Sequence, residues 1–153
     1  TCGEFDDKLK EKCLEMIVSL PPEPVYIEAD PRRIWRVVEN LFSNVCKYAL
    51  EGTRVYLEIR RVRQDDREIA VFTMKNISAQ ALNIRAEELT ERFIRGDISR
   101  STEGGGLGLS IAQNLTTLQK GTFEIYLDGD LFKVQIGFSC LDVPQPEIEI
   151  QMR

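Results

Sequence analysis

The chain reads as an α/β protein, a two-layer sandwich of helices on a mixed, mostly antiparallel sheet, with a glycine-rich lid over one end. Three observations predict it. Ile34, Val37, Val38, Leu41, Val45 and Tyr48 recur at three- and four-residue steps and make the apolar stripe of one long helix. Two pairs of alternating segments, 54–62 with 69–74 and 123–127 with 132–138, are each joined by a polar turn and read as hairpins. Between the hairpins, Gly104-Gly105-Gly106-Leu107-Gly108-Leu109 is a glycine cluster opening a second apolar helix.

Taken in order, Phe5, Leu9, Cys13, Met16 and Ile17 predict one short amphipathic helix, stopped by Pro21-Pro22. Val25-Tyr26-Ile27 predicts a strand. Asp30 then suits an N-cap and Pro31 the first helical position, so the long helix runs from there to about Leu50, with Gly52 ending it. In the next segment Val55, Leu57 and Ile59 alternate with polar residues, which predicts a half-buried strand from Arg54 to Val62. Gln64-Asp65-Asp66-Arg67 turns it into a second strand, Ile69 to Met74. No period is visible over 75–84, which reads as a loop. Ala86 to Phe93 predicts a short helix, and the polar stretch from Arg95 to Gly106 a mobile lid. Leu107, Ile111, Leu115 and Leu118 mark the next helix, terminated by Lys120-Gly121. Phe123, Ile125 and Leu127 alternate before Asp128-Gly129, and Phe132, Val134, Ile136 and Phe138 after it. One domain over residues 1–143 is expected, with a loosely held tail over 144–153.

Composition excludes several classes. A net charge of −5 offers no basic patch for a nucleic acid. No segment approaches the roughly 20 apolar residues of a membrane helix and no signal-peptide pattern opens the chain, so a cytoplasmic location without direct membrane contact is expected. The four cysteines, Cys2, Cys13, Cys46 and Cys140, are scattered without metal or redox spacing and read as reduced thiols. Histidine is absent altogether, which removes the usual general base, metal ligand and phosphohistidine acceptor.

The chemistry concentrates in two places. On a helical period Asn40, Asn44 and Lys47 share one face, where two amides can give carbonyl oxygens to a metal ion and an ammonium can meet a phosphate. The glycine run would let backbone N–H groups approach an anion at a helix start. Singly, each has a plain structural explanation: a flexible turn, solvated or capping amides, a surface lysine. Together and in this order they point to a nucleotide site.

These residues carry a resemblance. Asp30-Pro31-Arg32, Asn40-Leu41-x-x-Asn44-x-x-Lys47-Tyr48, Phe93-x-Arg95-Gly96-Asp97-x-Ser99-Arg100 and Gly105-x-Leu107-Gly108-Leu109 are together similar to the ATP-binding catalytic domain of bacterial sensor histidine kinases. That family sits in a wider ATPase group with gyrase, a heat-shock chaperone and a mismatch-repair ATPase. The resemblance implies the layered Bergerat fold, with ATP and Mg2+ as cofactors. It implies Asn44 as the metal ligand, Asn40 facing the phosphates, Lys47 approaching them, and Tyr48 bordering the adenine or ribose. Arg95 and Arg100 would meet the γ-phosphate, so that Asn40, Lys47 and Arg95 form the catalytic set. Gly104, Gly105, Gly106, Leu107 and Gly108 would line the triphosphate, and Leu109 the pocket wall or core.

One departure stands out. The family's Asp-x-Gly-x-Gly box, whose aspartate accepts the adenine amino group, is replaced by Asn76-Ile77-Ser78-Ala79-Gln80. Asn76 still offers an amide oxygen, but losing a charge-assisted bond costs on the order of 1 kcal/mol.

By this resemblance the chain would transfer the γ-phosphate of Mg-ATP to a histidine on a separate dimerisation domain, with a response regulator downstream and a membrane-anchored receptor around it. The isolated domain is expected to be a monomer. Two other classes fit the same residues: an anti-sigma-type serine/threonine kinase, and a degenerate nucleotide-sensing interaction module without turnover. The first would phosphorylate a serine-bearing partner, and the second would follow from the altered adenine box.

Overall fold

The computed structural model describes residues 2–80 and 105–141. Its best-specified element is the long helix, α2 (Pro31–Tyr48). Asp30 caps it in an extended conformation (φ −76°, ψ 119°), its carboxylate accepting from the Arg32 N–H at 2.9 Å, and Pro31 fills a position whose N–H has no helical partner. Val37, Leu41, Phe42 and Val45 are buried along its inner face. The other elements are α1 (Cys2–Glu11), β1 (Glu15–Ser19), β2 (Arg54–Gln64), β3 (Arg67–Ile77), α3 (Gly105–Leu118), β4 (Thr122–Asp128) and β5 (Leu131–Ser139).

The five strands form one sheet in the order β1-β2-β3-β5-β4. β1 runs parallel to β2, and all other neighbours are antiparallel. Among the described residues, three helices on a mixed, mostly antiparallel sheet therefore make the α/β sandwich the sequence predicts. Both hairpins form as expected. Asp65 and Asp66, at φ 51° and 62°, supply a left-handed pair for one tight two-residue turn, and Gly129 (φ 59°) supplies a single left-handed residue at the first position of the other. The core lies between the helices and one sheet face, where Leu41, Phe42, Val55, Met74, Leu109, Ala112, Val134 and Ile136 are all buried. Phe42 stacks on Phe5 of α1 with ring centroids 5.4 Å apart.

Four expectations need correction. The single helix through Phe5, Leu9, Cys13, Met16 and Ile17 is a helix and a strand. α1 ends at Glu11, Cys13 turns left-handed at φ 53°, and the Leu14 N–H donates back to the Leu9 carbonyl at 2.9 Å. Beyond that reversal Met16 pairs with Val55 and Ile17 with Tyr56. The β-branched Ile17-Val18 pair favours a strand, and the free edge of β2 gives it a partner. Val25-Tyr26-Ile27 makes only an isolated bridge, Ile27 to Cys140, because Pro22 and Pro24 withhold N–H donors just before it. The expected loop begins late: Lys75, Asn76 and Ile77 continue β3, pairing with Lys133, Phe132 and Leu131 of β5. Finally, α2 ends at Tyr48 with Ala49 as its C-cap, and Gly52 (φ 76°) serves the following turn instead.

Lys120-Gly121 does stop α3, but with the roles exchanged. Lys120 takes the left-handed conformation (φ 64°), while Gly121 is needed for space, since a Cβ there would lie 2.7 Å from the Phe138 ring and 2.9 Å from Thr116 Cγ2. Gly121→Ala is expected to destabilise the domain by about 1–3 kcal/mol through overpacking, read as a lower denaturant midpoint at unchanged slope. A neutral result would mean that Phe138 moves aside freely. The expected helix over Ala86 to Phe93, residues 95–104 of the lid expected over Arg95 to Gly106, and the tail over 144–153 lie outside the described residues, while Gly105 and Gly106, expected in the lid, already belong to α3.

Candidate nucleotide site

Asn40, Asn44 and Tyr48 succeed one another at four-residue steps along α2, so they stack on one helix face. The opening turn of α3 lies against the first of them. A Cβ at Gly108 would sit 3.7 Å from Asn40 Oδ1 and 3.8 Å from the Asn40 carbonyl oxygen. Gly105 and Gly106 begin that same turn, whose N–H groups have no partner within the helix.

At its other end α2 is clamped to the end of β3. The Ala79 N–H donates to the Tyr48 carbonyl at 2.8 Å, the Leu50 N–H to the Ile77 carbonyl at 2.8 Å, and Ala49 bridges Ser78. Asn76, 3% exposed, points to the core side of β3 just before that clamp, in register with buried Phe132. The sequence reading assigned no role to Ser78. Its buried hydroxyl accepts from the Gln80 N–H at 3.2 Å and shapes the chain leaving β3, a role without any periodic signal.

Four buried side-chain atoms among the described residues have no hydrogen-bond partner: Asn40 Nδ2, Asn44 Oδ1, Tyr48 Oη and Asn76 Oδ1. All four belong to residues that the sequence singles out for the nucleotide. An unsatisfied buried polar atom costs about 1–3 kcal/mol, so folded proteins keep few of them. Here they are concentrated along one face of α2 and on β3 at its end. The set offers a donor at Asn40, acceptors at Asn44 and Asn76, and either from the Tyr48 hydroxyl.

Other predicted residues fall elsewhere. Lys47 is exposed on the last turn of α2, its carbonyl accepting from Lys12 Nζ at 3.1 Å. Leu109, 2% exposed, belongs to the hydrophobic core. Arg95, Arg100, Gly104 and the side chain of Leu107 lie outside the described residues. Cys46 is half-buried, and burial pushes its thiol above the ordinary value, with Lys8 and Lys12 opposing the shift. It therefore stays protonated at neutral pH, as a packing residue would. No group of three or more His, Cys, Asp or Glu able to hold a metal occurs among the described residues.

Comparison with known proteins shows the family. Residues 29–140 match the family of histidine kinase-, DNA gyrase B- and HSP90-like ATPases, and the chain belongs to that family. Among its relatives, the sensor histidine kinase WalK of Bacillus subtilis is 32% identical over 121 residues, covering 78% of this chain and 19% of WalK. The sensor histidine kinase RppB of Synechocystis is 30% identical over 141 residues, covering 84% of this chain and 30% of RppB. The chain thus spans a third or less of these curated relatives. The catalytic domain of histidine kinase ThkA superposes with a TM-score of 0.70 at 20% identity, covering 90% of this chain and 86% of that one. The Acinetobacter baumannii histidine kinase AdeS gives 0.67 at 21% identity, covering 90% and 60% respectively. These superpositions show the shared fold. The ATPase domain of the sensor histidine kinases is therefore the class to which this chain is homologous.

Proposed function

We propose that this chain is the catalytic part of a longer sensor histidine kinase, binding Mg-ATP and delivering its γ-phosphate to a histidine on a separate dimerisation domain. The observation that carries this reading is the set of unpartnered polar atoms on Asn40, Asn44, Tyr48 and Asn76. Their chemistry fits the ligand. The Asn44 amide oxygen suits a hard cation, whose remaining ligands would be phosphate oxygens and water, since no carboxylate cluster stands ready among the described residues. Asn40 Nδ2 and the first N–H groups of α3 would donate to the phosphates, and the helix dipole favours an anion there. Lys47 would add positive charge from the rim, with Arg95 and Arg100 at the γ-phosphate. Asn76 Oδ1 would accept from the base amino group, and Tyr48 would border the base or sugar.

Bound ATP supplies the phosphoryl group, and this chain's residues position and neutralise it, which is most of what phosphoryl transfer asks of a protein. With no histidine in 153 residues, the acceptor belongs to another segment or another polypeptide. The general base would stand beside that acceptor. A response regulator would take the phosphate onward, and the receptor would be membrane-anchored. Among the described residues no helix is long and apolar enough to cross a membrane.

Isothermal titration with ATP, ADP and GTP, with and without magnesium, tests the site. Magnesium-dependent, adenine-selective binding is expected, followed by transfer to an added histidine-bearing dimerisation domain. Absence of binding at about millimolar ATP, a free energy near −4 kcal/mol, would overturn the reading and favour an interaction module without turnover.

A further inference from the structure

The sheet face opposite the helices carries a row that the nucleotide site does not use. Strand register aligns Ile17, Tyr56, Lys75, Lys133 and Tyr126 across all five strands. At ordinary strand spacing the row is roughly 19 Å long. Its two lysines are direct cross-strand neighbours, an arrangement that like charges disfavour. Each ammonium instead leans over a tyrosine: Lys75 Nζ is 5.5 Å from the Tyr56 ring centroid, and Lys133 Nζ is 5.2 Å from that of Tyr126.

The nearby arginines are treated differently. Arg54 pairs with Glu15, Arg60 with Glu58, and Arg61 with Glu23 and Glu68. Among the described residues no carboxylate lies within ion-pair distance of Lys75 or Lys133. In a chain of net charge −5, two adjacent, partly buried lysines thus have, among the described residues, aromatic faces as partners of their ammonium groups. The flanks of the row are apolar and open, with Ile17 36%, Tyr56 41% and Tyr126 43% exposed. A cleft of about 510 Å³ opens beside Tyr56 and Ile77.

We infer that this row docks an acidic segment of a partner polypeptide, with adjacent carboxylates on Lys75 and Lys133 and apolar side chains against Ile17 and the two tyrosines. Charge complementarity selects the anion, and the exposed apolar flanks select a polypeptide over a small ion. Two lysines are too few to neutralise an extended phosphate backbone, and the carboxylates of the neighbouring row, in which Glu58, Thr73, Gln135 and Glu124 lie in register, confine a bound acidic segment to the lysine row.

The test titrates the chain with a polyglutamate peptide carrying two leucines, beside its glutamine counterpart, at low and high salt. The acidic peptide is expected to bind, to weaken with salt, and to lose at least about tenfold in affinity in the Lys75→Gln/Lys133→Gln double variant. ATP affinity, measured in the same samples, should not change, so a failure here is separable from a failure of the nucleotide site. Equal binding by the double variant would overturn the proposal. So would inorganic phosphate competing as well as the peptide, which would make the row a small-anion site, or tighter binding of duplex DNA.

Discussion

Replacing Asn44 with leucine is expected to abolish magnesium-dependent nucleotide binding while leaving the unliganded domain as stable as before, or more stable. The two effects separate because Asn44 is 6% exposed and its Oδ1 has no partner in the folded chain. Leucine matches the heavy-atom skeleton of asparagine, branched at Cγ, keeps the helix, and removes an unsatisfied acceptor whose burial costs about 1–3 kcal/mol. What it cannot do is ligate a cation. Thermal unfolding with and without Mg-ATP reads both sides of the exchange. The parent chain should gain about 2.7 kcal/mol at a ligand concentration a hundredfold above Kd, and the variant nothing. If Asn44→Leu lost stability and still responded to Mg-ATP, the amide would be structural and the proposed cation ligand would lie elsewhere.

The largest expected loss of stability is from Phe42→Ala, about 3–5 kcal/mol. Phe42 is 1% exposed, sits in the core face of α2 and holds the ring of Phe5, so its removal opens a cavity and detaches the main anchor of α1. Typical domain stabilities are about 5–15 kcal/mol, so about a fifth or more is at stake, with a fall in Tm of about 10 °C. Chemical denaturation at unchanged slope is the check. A loss below about 1 kcal/mol would mean that the neighbouring side chains close the gap. The nucleotide response of any variant that stays folded should survive, because Phe42 faces the core rather than the row of Asn40, Asn44 and Tyr48.

Legibility differed from element to element for identifiable reasons. The start of α2 was readable because its signals are local: Asp30 caps and Pro31 enters within two residues. The turns were readable because Asp65, Asp66 and Gly129 tolerate positive φ. The stretch from Cys13 to Ile17 was not, since its apolar spacing suits either period and the deciding partner, β2, lies far along the chain. Lys75-Asn76-Ile77 looked like a loop because a buried asparagine breaks the alternation that marks a strand, yet pairing on the β5 side carries β3 through it. The substituted adenine box and the misread strand end overlap at Asn76 and Ile77, so one polar position hid both.

By itself the sequence determined the capped helix α2, both hairpins, the four-residue spacing that puts Asn40 and Asn44 on one helix face, and the lack of any histidine to accept a phosphate. These rest on helical and strand periods and on residue chemistry, which neighbours in the chain fix. Only the tertiary structure decided that residues 15–19 form a parallel edge strand, that Gly108 meets Asn40, that Asn76 lies buried at the end of α2, and that Lys75 and Lys133 stand side by side. Each of those depends on pairing or packing between residues distant in sequence, where a local pattern allows several partners and burial selects one.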